Sequence, residues 1–484
     1  MDIRQQVVDD LKRRVTILPE EIAGWRQMTE QNKNGMGIHR SQVKAIDAEL
    51  KALDAKQQEA LERLDPTQSP KDVAAARYEV ERQLGALHGI ASIFRNVFLQ
   101  RQGEPITCPA EAPNGAPEPG GDGAIYRDEL RCALRAADLV AADCYNSCIN
   151  LAEGWGVVKE GRFRPPPLTF LNALSGPAAY TRRSSFSVFK VPLELYSELK
   201  LPISLVSMPF HYTEGLWTYC SLYHEVGHPL DQDLELNKLL TKPLNDRLAA
   251  EGVAAGQIGK WEFWLREIVA DAFGVLFGGE AYAWSLIDLL FLPESEVTMV
   301  NAQDTHPNPY VRVFLLGALL RRADAERFTP IADEIEAYWR EVYGKPADLE
   351  EYLKPCEVVA EVLLDEPLPR LDDHPGLDNH RLLDLVPSFV ADRGLIDKLA
   401  DYLELNLIRP SPNELSIRLV PAAAQLAARR DEPDLAGIHA RGIDFLYAIK
   451  QPTFLGVTGA ESEEDYLRGL VAEIDFSTFL DDAP

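Results

Sequence analysis

The amino-acid sequence predicts a mainly α-helical protein with a small β-sheet. Apolar residues recur every three or four positions over most of the chain after residue 215, which is the period of amphipathic helices. Only two short segments, 186–191 and 203–208, combine β-branched or apolar residues with flanking prolines and polar residues, as strands do. With 484 residues, of which 46% are hydrophobic and 26% charged, the chain has the composition of a globular protein and the length to bury a large core.

The N-terminal region, residues 1–102, is predicted to form a helical hairpin. Apolar positions with heptad spacing run over 43–64 and again over 73–98, and the turn-forming, proline-containing segment 65–70 separates the two runs. Shorter helices are expected over 1–31. Two alternatives remain open for the hairpin: a bundle packed on the rest of the protein, or a protruding coiled-coil arm that binds a protein partner.

A linker is predicted at 103–125, because the stretch 103–123 holds five prolines and five glycines and almost no apolar pattern. It divides the hairpin from a central domain, 126–325, which a C-terminal helical region, 326–484, follows. The helical period predicts helices over 126–154, 215–228, 258–277, 281–291, 309–322, 330–343, 347–365, 382–405, 413–430, 434–449 and 463–472.

Charge and cysteine content exclude several classes of function. Lysine and arginine total 49 against 76 aspartates and glutamates, and a net charge of −27 disfavours nucleic acid and anionic lipid as partners. The apolar stretch 268–292 contains three acidic residues, so we expect buried helices there and no membrane span. Six scattered cysteines and an N-terminus without a signal-like apolar stretch predict a cytoplasmic protein with reduced thiols.

His224, Glu225 and His228 form an HExxH motif. On a helix, residues four apart share a face, so both imidazoles can reach one metal ion while Glu225 lies near its open coordination position. The alternative is a pair of histidines that form hydrogen bonds elsewhere. Pro229 follows the second histidine directly, so we expect the helix to end soon after it.

A second group of acidic residues lies on the later segment 261–277, which is hydrophobic around nearly its whole circumference and is therefore predicted to be a core helix. Glu267 and Asp271 share one face of it, and buried carboxylates need partners. A zinc ion (Zn2+) held by the two histidines would take Glu267 as its third ligand and keep one position for water. Asp271 would accept the free ring N–H of a zinc-binding histidine. The alternative is salt bridges to Arg266 or Arg312.

These motifs carry a family resemblance. HExxH followed on a later helix by the ExxAD pattern at 267–271 resembles the gluzincin group of zinc metallopeptidases, in which two histidines and a downstream glutamate hold the metal. The segment 305–312 is similar to the His-Pro…Arg element of several of these peptidases. The run 278–282 is similar to one in poorly characterised bacterial HExxH proteins. The resemblance covers roughly 195–320 and implies a zincin-like core flanked by helical N- and C-terminal regions.

The resemblance also implies roles for two residues beyond the ligands. His306 would stabilise the oxyanion of a tetrahedral intermediate, and Arg312 would support the site through Asp271 or the substrate. A donor aimed where negative charge develops suits this chemistry. The alternatives are a turn residue before a proline for His306 and a plain ion pair for Arg312, with Tyr310 and Tyr223 as other candidate donors.

The motifs together predict a zinc metallohydrolase, most simply a peptidase acting on a peptide or protein. Zinc would polarise a water molecule and the scissile carbonyl, and Glu225 would take the proton and pass it to the leaving amine. The strand at 203–208 is expected to be the edge along which an extended substrate lies. Two alternatives remain: a non-catalytic, zinc-stabilised interaction protein, and a protease gated by a partner that binds the N-terminal helices.

Overall fold

The computed structural model describes nine segments of the chain and a few isolated positions before residue 101. The segments are 39–63, 122–157, 164–172, 176–184, 201–299, 304–368, 377–386, 393–406 and 416–448. Outside the described residues lie the helices expected over 1–31 and 463–472, nearly all of the second hairpin run, nearly all of the linker, and the strand expected at 186–191.

The described chain is mainly helical with one three-stranded sheet, which confirms the predicted fold class. The elements are α1 (Arg40–Glu62), α2 (Asp122–Gly154), β1 (Leu168–Asn172), β2 (Ala178–Tyr180), β3 (Leu205–Pro209), α3 (Ser221–Leu234), α4 (Leu236–Ala250), α5 (Ala255–Gly278), α6 (Glu280–Leu290), α7 (Glu294–Val297), α8 (Pro309–Ala323), α9 (Ala325–Tyr343), α10 (Glu350–Leu353), α11 (Cys356–Asp365), α12 (Arg393–Leu405), α13 (Leu419–Ala428) and α14 (Leu435–Ala448). Short 3-10 helices cover Phe210–Glu214, Leu216–Cys220 and Leu382–Leu385.

The sheet corrects the prediction about its edge. β3 pairs in parallel with β1 on one side and antiparallel with β2 on the other, so the segment expected to be the edge strand is the central strand. All five residues of β3 are buried, as the near-continuous apolar character of a central strand requires. Neither β1 nor β2 was predicted, and β2 is the outer strand on its side of the described sheet.

Side chains cover the outer edge of β1. The Gln100 amide accepts a hydrogen bond from the Leu171 N–H at 2.9 Å and donates one to the Leu171 carbonyl at 3.0 Å, as a neighbouring strand would. The Asp138 carboxylate of α2 accepts the Thr169 N–H at 2.9 Å. These bonds satisfy backbone groups that would otherwise be left unpaired at a sheet edge.

The first hairpin helix is partly packed and partly exposed. Val43, Ile46 and Leu50, which begin the predicted heptad series, are buried, whereas Lys51 and the residues from Ala55 onwards whose burial is described are exposed. The N-terminal half of α1 therefore packs on the protein, in line with the packed alternative.

One hydrophobic core extends over the central and C-terminal regions. Buried apolar residues from Cys132 to Leu446 form a single contiguous cluster, which crosses residue 325. α13 packs on α6 and on the 3-10 helix before α3, and α14 packs on α2. Among the described residues, the central and C-terminal regions on either side of residue 325 therefore share one core.

The apolar stretch 268–292 forms two buried helices, as predicted. α5 ends at Gly278 and α6 begins at Glu280, with Gly279 between them at a φ of 53°. Within the described chain, no helix is both long and apolar enough to cross a membrane.

Candidate metal centre

Helix α3 presents both histidines of the HExxH motif from one face. The ring centroids of His224 and His228 lie 4.9 Å apart, and both side chains are buried. The prediction that α3 ends soon after His228 is wrong. The helix continues through Pro229 to Leu234, because Leu230 and Leu234 extend its buried face, and this packing outweighs the hydrogen bond that proline cannot donate.

A close helix crossing brings α5 against α3. Gly227 lies between the two histidines in sequence, and a Cβ atom at Gly227 would stand only 2.7 Å from the Cα atom of Ala270. Ala270 in turn lies between Glu267 and Asp271 in sequence. The absence of a side chain at Gly227 therefore lets the two backbones meet where each helix carries its polar residues.

Glu267 completes a set of three ligand atoms. Its Oε2 lies 3.3 Å from His224 Nε2 and 3.6 Å from His228 Nε2, and the three atoms lie within 4.8 Å of one another. Ligands bound to one tetrahedral zinc ion at about 2.0–2.2 Å are separated by roughly 3.3–3.5 Å. The two distances from Glu267 Oε2 fit that geometry, and this oxygen is buried.

The charges of the three groups depend strongly on one another. Burial raises the pKa of Glu267, but the imidazoles of His224, His228 and His306 outweigh it and lower that pKa to about 2. Burial lowers the pKa of His224, yet the Asp271 and Glu267 carboxylates raise it to about 9. Burial and the neighbouring His224 lower the pKa of His228 to about 3. The ionised Glu267 carboxylate and the neutral His228 imidazole are in the states that bind a metal, whereas His224 has to release its Nε2 proton when an ion binds.

Asp271 orients His224 from behind. Its Oδ1 lies 2.9 Å from His224 Nδ1, and because the carboxylate is ionised, the ring nitrogen carries the proton and donates it. Burial raises the pKa of Asp271, but the Arg312 guanidinium and His224 outweigh burial and hold that pKa far below its ordinary value. His224 therefore turns its Nε2 towards Glu267, the arrangement predicted for a metal-binding histidine.

His228 lacks such a partner. Its Nδ1 is buried and forms no hydrogen bond with any residue that the structure describes. Among the described residues, only packing orients the His228 ring, whereas a hydrogen-bonded network orients that of His224.

Glu225 is buried next to His224 in sequence, and it is not one of the three residues whose atoms could share one ion. Burial raises the pKa of its carboxyl to about 7, against the opposing effects of His224 and of a hydrogen bond from the Ala179 backbone in β2. A carboxyl group that titrates near neutrality can both accept and return a proton.

His306 lies at the open side of the set. Its side chain is 52% exposed, and its Nε2 lies 3.2 Å from Glu267 Oε2. Asp304 Oδ1 accepts a hydrogen bond from the backbone N–H of His306 at 3.1 Å, and the Asn308 side chain caps the first turn of α8. The structure thus brings His306 to the ligand carboxylate, outside the group of three that can share one ion.

No protein-family model matches this chain, and neither a curated protein nor a solved structure does. The gluzincin resemblance therefore rests on the three motifs, and the functional assignment rests on the geometry of the site.

The hydroxyls of the two tyrosines considered as other donors form hydrogen bonds with backbone carbonyls away from the site. The Tyr310 hydroxyl donates to the Gly344 carbonyl at 2.7 Å, and the Tyr223 hydroxyl donates to the Arg418 carbonyl. Assigning either as a donor at the site is therefore wrong. Tyr282, whose hydroxyl donates to Asp271, was not predicted to belong to the site. The run 278–282 contains it, but nothing local in the sequence indicates which way the ring turns.

Proposed function

We propose that the protein is a zinc-dependent metallohydrolase of gluzincin type that cleaves peptide bonds. The observation that carries the proposal is the convergence of His224, His228 and Glu267 within 4.8 Å, with Glu225 next to the first histidine. Two imidazoles and one carboxylate are a common protein ligand set for catalytic zinc, whereas structural sites usually have four protein ligands. In the described part of the chain, no fourth ligand joins the group.

The three residues fit the ion in chemistry as well as spacing. Glu267 Oε2 is buried and faces three imidazole nitrogens at 3.2–3.6 Å, and a metal ion held between them would satisfy its charge. When bound, zinc would supply Lewis acidity to a water molecule and to the substrate carbonyl. Asp271 would keep the proton on His224 Nδ1, so Nε2 would be the nitrogen that gives up its proton and binds the ion.

Glu225 would carry the proton. With a pKa near 7, its carboxylate can accept a proton from the attacking water and return it to the leaving amine. His306 would stand at the open side of the site and donate from its ring to the developing oxyanion, as the resemblance implies.

The sheet supports a peptide as the substrate. The Ala179 backbone in β2 lies close enough to Glu225 to lower its pKa, so β2, the outer strand on its side of the described sheet, borders the proposed base. The outer edge of β1 is covered by Gln100 and Asp138. An extended peptide that added to the edge of β2 would pass Glu225, and this placement replaces the edge expected at 203–208.

A cytoplasmic location and a protein partner for the N-terminal helices belong to the same proposal. The five cysteines that the structure describes are all free and buried, which supports a reducing compartment. The exposed residues that the structure describes in the C-terminal half of α1 support a surface for a partner that could gate the protease.

Elemental analysis together with cleavage of a broad peptide library tests the proposal. We expect one zinc per chain in the wild type and in Glu225→Gln, with cleavage reduced by about 10²- to 10⁴-fold in the variant. His224→Ala should lose the metal. A wild type that binds no zinc when zinc is supplied in excess would contradict the proposal. Zinc bound without cleavage would favour the non-catalytic, zinc-stabilised interaction protein or the gated protease.

A further inference from the structure

Tyr282 is buried at the base of the site, on the side away from solvent. It lies in the first turn of α6, and its ring rests against α5 where two glycines leave room. A Cβ atom at Gly274 would stand 2.3 Å from the ring, and one at Gly278 would stand 3.0 Å from Tyr282 Cβ. The space that Tyr282 occupies against α5 therefore depends on the absence of side chains at Gly274 and Gly278.

The Tyr282 hydroxyl meets the same oxygen that orients His224. It donates to Asp271 Oδ1 at 2.5 Å, and that oxygen also accepts from His224 Nδ1 at 2.9 Å and from Arg312 Nη2 at 2.7 Å. The other oxygen, Oδ2, accepts from Arg312 Nε at 2.7 Å. Side chains from α3, α5, α6 and α8 thus meet at one carboxylate.

The position of the hydroxyl excludes a direct part in the chemistry. It lies on the Nδ1 side of the His224 ring, 3.5 Å from that nitrogen, whereas Nε2 on the far side of the ring faces Glu267. The imidazole therefore stands between Tyr282 and the place where an ion would bind. Only an effect transmitted through Asp271 and His224 is available to it.

We infer that Tyr282 is a positioning residue for the metal centre: its hydroxyl fixes the Asp271 carboxylate, which holds His224 Nε2 in its metal-binding orientation. The inference rests on the proposed zinc site. Arg312 fixes the plane of the carboxylate with two hydrogen bonds, and Tyr282 adds a third direction of restraint to the oxygen that His224 uses. Loss of the hydroxyl should therefore weaken zinc binding while every ligand remains.

The test compares Tyr282→Phe with Tyr223→Phe. Tyr223 is a matched control, because its ring also packs over Gly278, it is equally buried, and its hydroxyl donates to the Arg418 carbonyl outside the metal set. The readout is zinc affinity of the full chain, measured by competition with a chelator of known affinity. We expect about 10- to 100-fold weaker zinc binding for Tyr282→Phe and wild-type affinity for Tyr223→Phe.

Each outcome decides the question. Equal zinc affinity in Tyr282→Phe and wild type would overturn the role of Tyr282 while leaving the zinc site in place. Equal weakening in both variants would show a general packing effect and would also overturn it. A wild type that binds no zinc would remove the proposed function itself. If Tyr282→Phe fails to fold, the pair is compared in a Glu225→Gln background, which removes a buried carboxylate but no ligand.

Discussion

Arg312 keeps the buried Asp271 carboxylate ionised. Its guanidinium forms two hydrogen bonds with Asp271, at 2.7 Å each, and both side chains are almost completely buried. The bidentate pair keeps Asp271 ionised, so the carboxylate accepts the His224 proton as a hydrogen bond without removing it from the ring. Two roles were considered for Arg312, an ion pair and support of the site through Asp271. The contact between Arg312 and Asp271 serves both, because Asp271 also holds His224.

Arg312→Met should therefore be strongly destabilising. It leaves the Asp271 charge buried without its main partner, and breaking a buried ion pair from one side costs about 3–5 kcal/mol. Chemical denaturation measures the free energy of unfolding. The matched control is Arg266→Met, because Arg266 lies exposed on α5 and should change that free energy by less than about 0.5 kcal/mol. Equal losses in the two variants would contradict the role assigned to the buried pair.

The parts of the site that the sequence predicts are those with a local period. Four-residue spacing on a helix places His224 with His228, and likewise Glu267 with Asp271, on shared faces. Tyr282 has no such signal, because its ring reaches Asp271 through a space that Gly274 leaves on another helix. The orientation of His306 towards Glu267 likewise depends on tertiary contacts of its loop.

At the scale of elements, the crossing of α3 and α5 determines whether the site exists. Gly227 and Ala270 are in close contact, so the distance between the two helices depends on the missing side chain at Gly227. Intrinsic propensity would favour alanine over glycine within a helix by about 1 kcal/mol. Contact across the helices reverses this preference.

Gly227→Ala should push α5 away from α3 and weaken zinc binding together with stability, the latter by about 1–3 kcal/mol for an overpacked contact. Gly259→Ala is the control, because it lies exposed near the start of α5 with nothing near the added Cβ atom. That substitution should stabilise the protein by roughly 0.5–1 kcal/mol. Zinc titration and denaturation of both variants measure the two effects. Full zinc affinity in Gly227→Ala would show that the crossing does not set the ligand distances.

Tertiary packing explains which elements the sequence predicted poorly. Helical periodicity anticipated α5, α6 and α8 closely, but Pro229 suggested an early end to α3 that buried leucines override. Helix α4 was missed although its leucines have helical spacing, because it contains Pro243. The position of β3 within the sheet could not be predicted, because its neighbours are two very short strands with little signal of their own.

At the scale of the whole molecule, the continuous core predicts that the central and C-terminal regions unfold together. Cys144 in α2 and Cys356 in α11 lie on the two sides of residue 325, and both are buried in the same cluster. Burial raises the pKa of both thiols far above the ordinary value, so we expect neither to react in the folded protein.

Thiol reactivity measures this cooperativity. In a Cys108→Ser variant, which leaves the five buried cysteines, we expect no reaction with a thiol reagent under native conditions. In increasing denaturant, Cys144 and Cys356 should become reactive at the same concentration, as mass spectrometry of the labelled peptides would show. Reaction of Cys356 well before Cys144 would reveal a C-terminal unit that opens separately.

The covered edge of β1 has a consequence for association between copies of the chain. The Gln100 amide occupies backbone groups that another molecule would need in order to extend the sheet on that side. Strand-to-strand oligomerisation through the described sheet is thereby restricted to β2. A dimer formed in that way would cover the edge of β2 next to Glu225. Self-assembly and binding of the proposed substrate would then compete for that edge.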